Sequence, residues 1–108
     1  MNQYRLEDMI KGWFVGGFIP AAYSTEACEV AVKYYRTGEK EPAHYHKIGT
    51  EITLILVGNV RMRDREWNAG DIIVLEPNEV TSFESLNDAI TVVVKIPGVL
   101  NDKYFIDN

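Results

Sequence analysis

Gly38-Glu-Lys-Glu-Pro-Ala-His44-Tyr-His46-Lys-Ile-Gly-Thr-Glu51-Ile-Thr-Leu-Ile-Leu-Val-Gly58 carries both histidines of the chain, two positions apart, with a carboxylate five residues beyond. Side chains on an extended segment alternate between faces, so His44 and His46 share one side and Tyr45 takes the other. The run that follows predicts a strand over Glu51 to Val57, with Glu51, Thr53, Ile55 and Val57 on one face. Imidazole nitrogen and carboxylate oxygen make a mixed donor set suited to a first-row divalent ion, and two His plus one carboxylate is the set of facial non-haem iron centres. His44, His46 and Glu51 are therefore the candidate metal ligands. A His-x-His pair by itself also occurs as two buried, hydrogen-bonded imidazoles, so the added carboxylate and the fixed glycines carry the metal expectation.

Outward from this segment the chain reads as short strands with turn signals between them. A short helix is expected around Leu6 to Lys11, stopped by Gly12, and Trp13 to Ile19 reads as an irregular edge strand because of its two glycines. Glu29 to Arg36 has strong strand propensity and alternating character, and runs into a Thr37-Gly38 turn. Val60 to Arg63 and Glu66 to Asn68 predict a hairpin around Asp64-Arg65, followed by a Gly70-Asp71 turn and a strand over Ile72 to Leu75. Thr81 to Glu84 and Ile90 to Ile96 predict a last pair separated by Asn87-Asp88, with the tail beyond Pro97 packed on the outside or on a partner. Many short strands with little helix argue for an all-β sandwich or barrel, which periodicity alone cannot tell apart.

The spacing Gly38-x5-His44-x-His46-x4-Glu51-x6-Gly58 resembles the first motif of the cupin superfamily at every defined position. Gly70-Asp-Ile-Ile-Val-Leu-Glu-Pro-Asn-Glu-Val-Thr81-Ser-Phe83 is similar to the second motif, but departs from it. The family usually has proline where Glu76 stands, glycine where Asn78 stands, histidine where Thr81 stands and asparagine where Ser85 stands. The resemblance thus implies three metal ligands and leaves the fourth place to Thr81. It implies an antiparallel, jelly-roll type β-barrel with residues 1–108 as one domain and a cavity sized for one small ligand. It also implies a homodimer, with the apolar Trp13 to Ile19 segment as a contact surface.

Composition narrows the classes further. A net charge of −5 with no Lys/Arg cluster argues against nucleic acid as a partner. The apolar stretch Trp13 to Tyr23 is broken by Gly16, Gly17 and Pro20 and is too short to span a bilayer, so no membrane association is expected. The start Met-Asn-Gln-Tyr-Arg-Leu-Glu-Asp has no basic region leading into an apolar core, and Cys28 has no second cysteine to pair with; both suggest a reduced, cytoplasmic protein.

Two functional classes follow. One is a metal-dependent enzyme in which iron, manganese, nickel or zinc, held by His44, His46 and Glu51, acts on a small organic molecule; the resemblance allows oxygenase, isomerase and decarboxylase chemistry without choosing. The other is a non-catalytic module that binds a sugar or carboxylate with little or no metal. A metal-free isomerase with His46 as base and a tyrosine as acid is a further variant. No residue is assigned to the chemical step itself. Tyr35, Arg61, Thr81 and Lys95 are the candidate substrate contacts. Tyrosines on strands are more often packing groups, and Lys95, set in an apolar strand, either faces the cavity or guards an edge.

Overall fold

The computed structural model describes residues 1–106. Ten strands are formed: β1 (Trp13–Val15), β2 (Glu29–Tyr35), β3 (Lys40–Tyr45), β4 (Thr50–Val57), β5 (Asn59–Met62), β6 (Arg65–Asn68), β7 (Ile72–Leu75), β8 (Thr81–Ser85), β9 (Ala89–Ile96) and β10 (Tyr104–Phe105). They make two antiparallel five-stranded sheets, ordered β1-β2-β9-β4-β7 and β10-β3-β8-β5-β6. This is the expected all-β jelly-roll arrangement.

Several details differ from the sequence expectation. The N-terminal helix is a single 3-10 turn at Leu6–Asp8, since Met9 is already extended and Lys11 and Gly12 take positive φ. Gly12 is needed there, because a Cβ would run into the Val32 carbonyl of β2. The edge strand is cut to Trp13–Val15, beyond which the chain leaves the ladder at Gly16 and Gly17. The β5–β6 hairpin turns on Arg63 and Asp64, one residue earlier than expected, with φ of 53° and 58°. Thr81 to Glu84 and Ile90 to Ile96 do not pair: β8 lies between β3 and β5, and β9 lies between β2 and β4 in the other sheet. Asn87 and Asp88 therefore carry the chain from one sheet to the other, where a hairpin had been expected. In β4 a bulge between Ile55 and Val57 breaks the alternation, so Val57 is exposed while Glu51, Thr53 and Ile55 point inward. The tail does not simply pack on the outside: β10 adds to the edge of β3, while Val99 to Lys103 line the cavity and Asp102 is buried.

Cross-strand register sorts the interior into two zones. At one end Ile55, Val60, Met62, Ile73, Leu75, Phe83 and Ala89 form an apolar plug, with Tyr35 and Trp67 packed against it. At the other end the inward positions turn polar. Glu51 of β4, Lys95 of β9 and Glu29 of β2 stand side by side in one row, and Ile55, Thr91 and Lys33 form a deeper one. A barrel closed by a core at one end and lined by charge at the other is a container with one polar mouth.

Candidate metal centre and cavity

His44 reaches the interior from the end of β3, His46 from the residue just past that strand, and Glu51 from the start of β4. Pro42 lies in the irregular register between Glu41 and His44, where a residue without an N–H is tolerated. From this point the two imidazoles turn inward together, with ring centres 5.6 Å apart and planes nearly perpendicular. One donor atom from each of His44, His46 and Glu51 lies within 4.8 Å of the others. That spacing is compatible with one ion bridging all three donors after small side-chain adjustments.

The protonation pattern suits the same purpose. His44 Nδ1 is 2.9 Å from the Pro42 carbonyl, which can only accept, so the proton sits on Nδ1 and Nε2 keeps its lone pair for a ligand. His46 Nε2 is buried without any hydrogen-bond partner. Burial, then the nearby Lys95 and His44, push the His46 imidazole down to about 4, so it is neutral at physiological pH. The Glu51 carboxyl is raised above the usual range by burial, which Lys95 partly opposes. His46 thus offers a buried, neutral nitrogen beside the Glu51 carboxyl.

Beside them opens a cavity of about 550 Å³. His44, Glu51 and Thr81 line it, together with Tyr35 and Lys95. Tyr35 donates its hydroxyl to Glu41 at 2.9 Å and packs on the Phe83 ring, so it serves as wall and tethered polar group at once. Lys95 sits on a strand in the middle of its sheet, and its ammonium points into the cavity; the edge-guard alternative does not apply. Arg61 is placed elsewhere. It alternates outward from the buried Val60 and Met62, is exposed, and pairs with Glu66 at 3.2 Å across the β5–β6 hairpin.

Among the cavity residues not foreseen from the sequence are Lys33, Trp13 and Asp102. Lys33 and Trp13 both line the wall, and Asp102 accepts hydrogen bonds from the Lys47, Ile48 and Gly49 amides at 2.8–3.3 Å. Asp102 thereby holds the turn that joins His46 to β4. The signal for Lys33 was available: in β2 the polar positions Glu29, Lys33 and Tyr35 alternate with Val30 and Val32, which is the pattern of a strand facing a polar interior.

No family model matches the chain, and no curated protein matches it. Solved structures do. An uncharacterized conserved protein with a double-stranded β-helix domain from Klebsiella pneumoniae superposes with a TM-score of 0.68 at 22% identity, covering 78% of each chain. A cupin-2 domain containing protein from Shewanella frigidimarina gives 0.57 at 12% identity over 67% of this chain and 72% of its own. The fold is that of the cupins. Oxalate decarboxylase from Bacillus subtilis shares it, with a TM-score of 0.64 at 18% identity over 75% of this chain and 24% of that larger one.

In this cupin barrel Thr81 stands directly across from His44 in the β3–β8 ladder. A histidine at that position would therefore reach the His44 side of the donor set. The threonine hydroxyl instead donates to the Ser82 carbonyl at 2.7 Å, leaving the space beside His44 and Glu51 open to the cavity.

Proposed function

We propose that this chain is a small metal-dependent enzyme that holds a divalent ion through His44, His46 and Glu51 and acts on a small organic molecule in the barrel cavity. The buried, unpartnered His46 Nε2 carries this reading. Leaving such a nitrogen unsatisfied costs about 1–3 kcal/mol, and a cation shared with His44 and Glu51 offsets that cost while also compensating the buried carboxylate. A bound ion of this kind supplies Lewis-acid polarisation of a substrate oxygen. Thr81 leaves one side of the donor set free for solvent or substrate, as catalytic sites require and structural ones do not. Burial and the neighbouring Glu41 carboxylate keep the Tyr35 phenol far above its ordinary range, so at the cavity wall it acts as a proton donor and not as a base. The oxalate decarboxylase of the same fold supports enzymatic use of such a barrel.

Elemental analysis of protein purified without a histidine tag tests the reading. The parent is expected to hold close to one iron, manganese, nickel or zinc ion per chain, His46→Ala to hold almost none, and Thr81→His to bind about tenfold more tightly through a fourth ligand. A parent that stays metal-free after reconstitution would sink the proposal. Metal bound only by Thr81→His would then favour the non-catalytic binding module.

We also propose a homodimer, formed through a face other than the Trp13 to Ile19 segment, whose Trp13 lines the cavity. On the outer side of the first sheet, Val74, Ile52, Val94 and Val30 form one cross-strand row, and Ile72, Leu54, Val92 and Val32 form the next. Neither row contains a charge or a polar group. An antiparallel sheet with one face in water alternates apolar and polar, whereas these strands are apolar outward as well. With the flanking Leu56 and Ile96 the face is a contiguous apolar patch in which Ile72, Val74, Leu56 and Ile96 are about half exposed, the kind of surface an interface between copies buries. A second copy, packed face to face, matches it in area and in lack of charge. Leu54→Glu is expected to sediment as a monomer with unchanged strand content and metal uptake; a monomeric parent would overturn the assembly.

No helix of the described residues is long and apolar enough to cross a membrane. We place the protein in the cytoplasm, a location supported by the unpaired Cys28.

A further inference from the structure

We infer that Lys33, Lys95, Thr91 and Trp13 form an anion subsite in the cavity that takes a carboxylate of the substrate, which makes the substrate a small organic acid; this rests on the cavity being the substrate site. Lys95 Nζ lies 4.9 Å and Lys33 Nζ 5.2 Å from the centre of the same Trp13 ring. Both are half-buried and line the cavity. The ion pairs among the described residues are Arg5–Glu7, Lys40–Glu84, Arg61–Glu66 and Arg63–Glu79, so neither Lys33 nor Lys95 is paired. Lysine is almost never fully buried without a partner, and half-burial brings these two ammonium groups to the cavity with no carboxylate of the described residues within ion-pair distance.

Thr91 points to the same place independently. It is 1% exposed, it lines the cavity as the direct cross-strand neighbour of Lys33, and its hydroxyl has no hydrogen-bond partner. A buried hydroxyl without a partner is rare, and a ligand oxygen admitted to the cavity beside it would supply one.

The acids nearby are already engaged or weakened as counter-ions. Glu41 accepts from Tyr35, Asp102 accepts from three backbone amides, and Glu51 belongs to the metal donor set. Glu29, next to Lys95 in the ladder, has its carboxyl raised by burial, with Lys95 opposing, and forms no ion pair. Two free ammonium groups inside a protein of net charge −5 select for an anion more sharply than the surface would, because the low-dielectric walls concentrate their field. Trp13 gives the pair a fixed apolar seat by cation–π contact and excludes water from one side. A substrate gripped by a carboxylate here presents its other end toward Glu51, since Lys95 and Glu51 are cross-strand partners.

Trp13 also reports on the site. In a Trp67→Phe background it is the only tryptophan, and its emission can be followed while succinate, oxalate or the neutral succinamide is added. Succinate or oxalate is expected to change the emission saturably and succinamide to leave it unchanged. Lys33→Met is expected to weaken the anion about tenfold or more at unaltered metal content, and Lys95→Met to weaken it likewise when compared in the metal-free His46→Ala background, with Lys→Arg at either position retaining most of the binding. Thr91→Val should weaken the anion several-fold and at the same time raise the thermal midpoint, because it removes an unsatisfied hydroxyl. Repeating the titration in His46→Ala separates the two proposals: lysine-dependent succinate binding that survives without metal keeps the subsite even if the metal centre fails. Equal binding of succinamide, anion affinity indifferent to both lysines, or no response to either dianion with or without metal would overturn the subsite.

Discussion

Saturating zinc or manganese is expected to raise the thermal midpoint of the metal-free protein by roughly 15–30 °C and to leave His46→Ala where it was. An ion present at a thousand times its dissociation constant stabilises by about 4 kcal/mol, and in a chain of this size each kcal/mol moves the midpoint by about 4–8 °C. The donor set makes so large a response reasonable. Ligands must be unprotonated to bind, and His46 is neutral at physiological pH because burial, then Lys95 and His44, hold it near 4. Glu51 works in the opposite direction in the metal-free chain. Its folded value lies above the unfolded one, so ionising it costs stability as pH rises through the folded value, and an ion that fixes the carboxylate removes this loss. In His46→Ala the unpaired nitrogen disappears with its ring, so the metal-free variant stays close to the metal-free parent and only the response to metal is lost. Differential scanning calorimetry with and without metal gives both numbers; a parent midpoint that moves no more than that of His46→Ala would contradict the site.

The strands and the donor spacing were legible because both are local. Alternation from Glu51 through Ile55 and the two-residue step from His44 to His46 are properties of extended backbone, and the structure turns both sets inward. What failed was long-range. Nothing near Thr81 or Ile90 shows that β8 and β9 part to different sheets, because pairing partners in this fold lie tens of residues apart. Arg61 and Lys95 looked alike as cations in strands, yet one turn of register puts Arg61 in solvent with Glu66 while Lys95 faces the cavity. Lys33 was passed over because a strand is habitually taken as apolar side in. In this barrel the apolar side of β2 faces out and its polar side faces in, which shows only when the neighbouring strands β9 and β4 present the same two-sided pattern. Asp102 had no local signal at all, since its partners lie 53 to 55 residues away.

That distant contact sets up the second large effect. Asp102→Ala is expected to destabilise the protein by about 3 kcal/mol, or roughly 12–24 °C in midpoint, and to weaken the metal about tenfold or more. Asp102 is 6% exposed, and its two carboxylate oxygens receive the amides of Lys47, Ile48 and Gly49. Burial by itself would raise this carboxyl, but the three amide bonds outweigh it and hold the group below the ordinary 3.8. Truncation leaves those N–H groups without their acceptor in a tight turn, and charged hydrogen bonds of this kind are worth more than neutral ones. The turn is also the only covalent link between His46 and the strand bearing Glu51, so loosening it lets two of three donors drift apart. Because the folded value is depressed, the stabilisation is fully present above pH 3.8 and is lost as pH falls through the folded value, so parent and variant should converge in strong acid. Asp102→Asn, which keeps one acceptor oxygen, should fall between them at neutral pH. Denaturant melts across pH with a competition assay for zinc give both quantities. A variant within 1 kcal/mol of the parent at neutral pH, or one that loses stability without losing metal affinity, would show that the tail closes the barrel without positioning the histidines.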